Sequence, residues 1–101
     1  MDQNQPRILV VDDDDSLRIT LTEILQDEGF YVDAAIDGFA GIDMAARKHY
    51  DLIFMDVRMP GIDGVETYRR VKAISPDTVV ILVTAFAAQG LIEQALNEGA
   101  Y

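Results

Sequence analysis

Four consecutive aspartates, Asp12, Asp13, Asp14 and Asp15, follow the apolar run Ile8–Val11, and Asp56 follows the run Leu52–Met55. Thr84 holds the same place after Val79–Val83. If the first and third runs are neighbouring strands, their ends bring Asp12, Asp13 and Asp56 into one pocket, with Thr84 entering from the side. Three carboxylates packed that closely cannot all ionise comfortably without a cation, because like charges disfavour one another. A hard-oxygen set with no histidine or cysteine calls for Mg²⁺, with Mn²⁺ as a substitute. Beside such a cation a carboxylate is a competent nucleophile toward phosphorus, and attack gives an aspartyl phosphate. The cation offsets charge on the transferring group, while a threonine hydroxyl is placed to donate a hydrogen bond to a phosphoryl oxygen.

The elements that must hold these residues alternate regularly. Apolar runs at Ile8–Val11, Tyr31–Ile36, Leu52–Met55 and Val79–Val83 are rich in Val and Ile and suit parallel strands buried on both faces. Amphipathic stretches separate them. In the first, Leu17, Leu21, Ile24 and Leu25 share one face, with Asp15 or Ser16 as cap and Gly29 as terminator; Ile19 falls off the stripe. The second helix is expected over Phe39–Lys48 after the Asp37-Gly38 turn. The third starts at Asp63 with Glu66 completing a capping box, and turns Val65, Tyr68 and Val71 inward. A fourth is expected over about Ala88–Glu98, stopping at Gly99. Strand–helix alternation with short loops gives an α/β fold, a doubly wound parallel sheet with right-handed crossovers. In such sheets the ligand crevice lies beyond the carboxyl ends of the strands, where the aspartates are.

Bulk composition narrows the function classes. The 101 residues make one domain with enough apolar material for a core. Eighteen acidic residues against eight basic ones give a net charge of −10, which repels a nucleic-acid backbone. The absence of cysteine excludes disulfides, zinc–thiolate sites and a cysteine nucleophile. The polar first six residues carry no signal pattern and the apolar runs are far shorter than a membrane span, so a cytoplasmic location is expected.

Three segments together carry a family resemblance: Ile8-Leu9-Val10-Val11-Asp12-Asp13, Met55-Asp56-Val57-Arg58-Met59-Pro60-Gly61-Ile62-Asp63-Gly64, and Val83-Thr84-Ala85. In order and interval they resemble the signature segments of bacterial two-component response-regulator receiver domains, and the match spans nearly the whole chain. The resemblance implies a flavodoxin-like strand order 2-1-3-4-5. It implies that Asp12 and Asp13 are the acidic metal pair and Asp56 the phosphoacceptor. The backbone carbonyl of Arg58 would complete the metal shell, and the hydroxyl of Thr84 would swing toward the phosphoryl group on switching. A sensor histidine kinase or phosphotransfer protein would be the donor. Such a domain is a phosphoacceptor signalling module of a phosphorelay rather than a dedicated enzyme, and the segment wording looks most like receivers of transcriptional regulators. Family members continue past Gly99-Ala100-Tyr101 into a fifth strand, which carries a lysine, and a fifth helix. Residues 1–101 therefore read as a receiver ending before both, and Lys48 and Lys72, on helices, cannot stand in for that lysine. Without those elements, self-association through the strand-four edge or the helix-one face is expected.

Simpler readings stand beside these. Asp14 and Asp15 suit helix capping better than ligation; His49 suits the surface; Phe39, Phe54 and Tyr68 suit the core. Phe86 suits either the core or a shield over the phosphoryl group, and Gly61 and Gly64 suit turns needing positive φ. A rival enzyme class is the haloacid-dehalogenase-type phosphatases, in which Asp12 would be nucleophile and Asp14 acid/base; it leaves the segment from Asp56 to Gly61 unexplained. A second rival is a non-catalytic interaction module. A flavodoxin-type cofactor site fits least, because the acidic turn would repel a flavin phosphate.

Overall fold

The computed structural model describes residues 5–56 and 61–83. Within them every apolar run forms a strand and every amphipathic stretch a helix, in the order β1 (Arg7–Val11), α1 (Asp15–Asp27), β2 (Tyr31–Ala35), α2 (Gly38–Arg47), β3 (Leu52–Asp56), α3 (Gly64–Ile74) and β4 (Val79–Val83). The four strands are parallel and lie in the order β2-β1-β3-β4, as expected for a doubly wound sheet. The expected fourth helix lies outside the described residues.

Side-chain caps set the helix starts, and each is an aspartate. Asp14, one residue earlier than expected, accepts from the Leu17 N–H at 3.0 Å; Asp37 accepts from Ala40 N–H at 2.8 Å; Asp63 accepts from Glu66 N–H at 2.9 Å. Each carboxylate satisfies a donor that the first helical turn leaves unpaired. The capping box on α3 is half realised: Glu66 turns its carboxylate to Arg69 and Arg70, at 3.2 and 3.0 Å. Gly29 ends α1 at φ +96°, a backbone state that only glycine adopts at little cost.

The main core lies between the sheet and the α2/α3 layer. Leu9, Val11, Ile53, Met55 and Val80 meet Ala45 of α2 and Val65, Tyr68 and Val71 of α3, with Tyr50 sealing one end. The inward stripe of α3 is as read from the sequence. That of α1 is not. Leu17 and Ile24 are each 53% exposed, and the side facing the sheet carries Arg18, Leu21, Thr22 and Leu25 instead. Among the described residues α1 is the only helix on its face, where it packs on β2 and β1. Its apolar stripe is wider than the surface it covers. For the same reason Phe54, on β3, is only half-buried rather than core. Strand β2 also departs from two-sided burial, with Tyr31 and Ala34 exposed, because as the sheet's edge it has β1 alone beside it.

Candidate metal and phosphoryl site

Register places the acidic residues. The pairing of β1 with β3 runs from Ile8 opposite Leu52 to Val11 opposite Met55, so Asp12 and Asp56 come next, side by side at the carboxyl edge. Asp13 follows in the turn to α1. One carboxylate oxygen from each of Asp12, Asp13 and Asp56 can be chosen so that all lie within 4.8 Å of one another. Asp12 and Asp56 are half-buried and Asp13 is exposed.

Asp12 is held at three points. Its N–H donates to the Ala35 carbonyl at 3.2 Å, its carbonyl accepts from Arg18 Nη1 at 2.9 Å, and its Oδ1 accepts from the Asp14 N–H at 2.9 Å. Burial pushes its carboxyl above the ordinary carboxylate value; the hydrogen bond from Asp14 opposes this, while the charges of Asp13 and Asp14 add to it and Arg18 counters them. A divalent cation shared with Asp13 and Asp56 would relieve that penalty on the charged form. The three-carboxylate donor set, hard and oxygen-only, fits Mg²⁺.

Gly61, which precedes α3, takes φ +84°. The Phe39 ring reaches within 3.2 Å of where a Gly61 Cβ would stand. Phe39 is thus 53% exposed rather than core, spent on covering this glycine. Gly64 has no positive φ; it is the buried first residue of α3. Beside it, Gly38 of α2 packs so closely on Thr67 and Ile62 that no side chain fits there.

The remaining candidates sort clearly. Asp14 caps α1 and Asp15 is the acid of its first turn, paired with Arg18, so the two serve as cap and helix-dipole residues and Asp14 is engaged away from an acid/base role. His49 is exposed. Lys48 bonds Asp33 at 3.1 Å, and Lys72 donates to the carbonyls of Pro76 and Thr78 at 2.8 Å, both away from the pocket. Arg58, Thr84 and Phe86 lie outside the described residues. Sequence reasoning missed Arg18. The available signal was a basic residue four before Thr22 and seven before Leu25, on the sheet-facing stripe of α1.

Comparison with known proteins agrees with this geometry. The family model for the response regulator receiver domain matches residues 8–101. Sporulation initiation phosphotransferase F of Bacillus subtilis is 34% identical over 94 residues, covering 93% of this chain and 76% of that protein. The transcriptional regulatory protein ZraR of Klebsiella oxytoca is 35% identical over 100 residues, and there the chain spans only 23% of the relative's length. Among solved structures, the response regulator TrrA of Thermotoga maritima in complex with Mg²⁺ and BeF superposes with a TM-score of 0.81 at 36% identity, over 90% of this chain and 81% of that one.

The parallel 2-1-3-4 sheet has the CheY-like fold of the response regulator receiver domain protein from Methanospirillum hungatei, which superposes with a TM-score of 0.92 at 29% identity, over 96% of this chain and 78% of that one. The chain belongs to the response regulator receiver domain family, whose work in two-component signalling is to accept a phosphoryl group.

Proposed function

We propose that Asp56 is the phosphoacceptor and that Asp12, Asp13 and Asp56 hold Mg²⁺, with Mn²⁺ as a substitute. The backbone carbonyl of Arg58 would add a further oxygen, and Thr84 would donate its hydroxyl to the phosphoryl group. The convergence of three strand-end carboxylates within 4.8 Å carries the reading. When bound, Mg²⁺ supplies charge neutralisation for the transferring phosphoryl oxygens.

The donor in this reading is a phosphohistidine on a sensor histidine kinase or a phosphotransfer protein. An Asp56 carboxylate oxygen bonds to phosphorus as the P–N bond breaks, and the leaving imidazole nitrogen takes up a proton. Asp56 is half-buried at the end of β3, which leaves it partly accessible to a donor. Asp12 and Asp13 would hold the cation beside the Asp56 carboxylate, where the incoming group must arrive. A cytoplasmic setting goes with membership of the receiver family. Control of transcription is the output suggested by relatives such as ZraR. Self-association belongs to the same reading, through the strand-four edge or the α1 face where Leu17 and Ile24 are exposed.

Calorimetric titration with Mg²⁺ tests the pocket. Asp13→Asn should weaken binding about tenfold or more, a loss at least equal to that for removing a ligand's supporting partner. Binding indifferent to substitution at all three aspartates would overturn the assignment.

A further inference from the structure

Arg18 is placed where a charged side chain is rarely put. It projects from the sheet-facing side of α1, and only 13% of its side chain is exposed. Its neighbours along that side are Leu21, Thr22 and Leu25, one and two turns on. Nη1 donates to the Asp12 carbonyl at 2.9 Å, and Nη2 pairs with Asp15 Oδ1. One planar group therefore ties the residue that opens the turn to the first residue of α1. Between these anchors stand Asp13 and the cap Asp14. Asp12 has two further fastenings, to Ala35 and to Asp14.

We infer that Arg18 is a positioning residue for the acidic pocket: its guanidinium fork bridges the Asp12 carbonyl and the Asp15 carboxylate and thereby holds the β1–α1 turn so that the Asp12 and Asp13 carboxylates can share a divalent cation. The inference rests on the proposed reading of Asp12 and Asp13 as metal ligands. Its physical content is the fork. Arginine offers paired donors in a fixed plane, whereas lysine is a single point charge on a flexible stem and cannot hold both acceptors in one geometry. The positive charge alone would act the other way, since a cation beside the pocket repels Mg²⁺.

Mg²⁺ affinity by calorimetry on the full chain, with far-UV circular dichroism to match the folded fraction, separates these roles. Arg18→Lys and Arg18→Ala should each weaken Mg²⁺ binding about tenfold or more, the usual loss when a partner that orients ligands is removed. Arg69→Lys, on α3 beside Glu66, serves as a control and should leave affinity unchanged. Retained affinity in Arg18→Lys would show that the fork is not needed, and would overturn the inference. Tighter binding by Arg18→Ala would overturn it as well. A drop in melting temperature with unchanged affinity would assign Arg18 a structural role only, and the inference would fail on that result too. Should Arg18→Ala not fold, Arg18→Lys decides alone. If the unaltered chain binds no Mg²⁺, it is the reading of the pocket that fails, and that result is distinct from all of these.

Discussion

Gly38 gives the sharpest test of how the segment from Ile62 into α3 is held against α2. A Cβ at this position would stand 2.3 Å from Thr67 Oγ1, 2.6 Å from Ile62 Cγ2 and 3.3 Å from the Ile62 carbonyl oxygen. Neither neighbour yields easily. Thr67 is fully buried and its Oγ1 donates to the Asp63 carbonyl at 2.8 Å, and Ile62 is buried as well. Gly38→Ala should therefore cost about 1–3 kcal/mol in overpacking. The alanine recovers at most about 1 kcal/mol of helix propensity, and less in a first turn. A net loss of about 1–2 kcal/mol lowers the melting temperature of a domain this size by about 4–16 °C. Thermal melts followed by circular dichroism measure it. A double-mutant cycle adds a second check: on a Thr67→Ala background the same substitution should cost less, because one of the two clashing groups is gone. An unchanged or raised melting temperature for Gly38→Ala would refute the argument that α2 and the loop leading into α3 are packed to contact here.

Other consequences follow from buried polar groups and exposed apolar ones. Thr78 is buried and its Oγ1 donates to the Tyr50 carbonyl at 2.8 Å while bonding Ser75 Oγ at 2.6 Å, so Thr78→Val should cost about 1–3 kcal/mol in urea denaturation. The Tyr50 hydroxyl donates to Asp33 at 2.7 Å; burial first, then Asp33, pushes its ionisation well above the ordinary tyrosine value, and Asp33 likewise raises Lys48. Both folded-state values lie above the unfolded ones, so this contribution is fully present below pH about 10 and is lost as pH rises through the folded values. Melting temperature should fall above that pH, and Tyr50→Phe should flatten the fall. Sedimentation at low micromolar concentration should show self-association that Leu17→Ser with Ile24→Ser weakens, since both side chains lie 53% exposed on α1.

The sheet order and the acidic pocket were legible because both follow from local rules. Near-continuous Val/Ile runs ending in aspartate fix strands and their carboxyl ends, and a doubly wound sheet puts those ends together. Burial on α3 was legible because Val65, Tyr68 and Val71 share one face and that face meets the core, leaving, of its apolar residues, only Ala73 and Ile74 of the last turn exposed. On α1 the same periodicity misled, since Leu17 and Ile24 belong to the apolar stripe but not to the part that the sheet covers. Phe39 misled for a related reason: hydrophobicity says that a ring wants cover, not that it will be spent over Gly61. Arg18 was missed because a periodicity reading assigns charged residues to solvent. Only the fold shows the Asp12 carbonyl within its reach.

In the proposed function the phosphoryl group goes to Asp56, in a pocket built with Asp12 and Asp13. Intact mass and peptide mapping after treatment with a small phosphodonor test it most directly, with Mg²⁺ present or chelated. The chain should gain one phosphoryl group, on the peptide containing Asp56, dependent on Mg²⁺ and abolished by Asp56→Asn. A phosphoryl group that persists in Asp56→Asn, or that maps to Asp12, would contradict it.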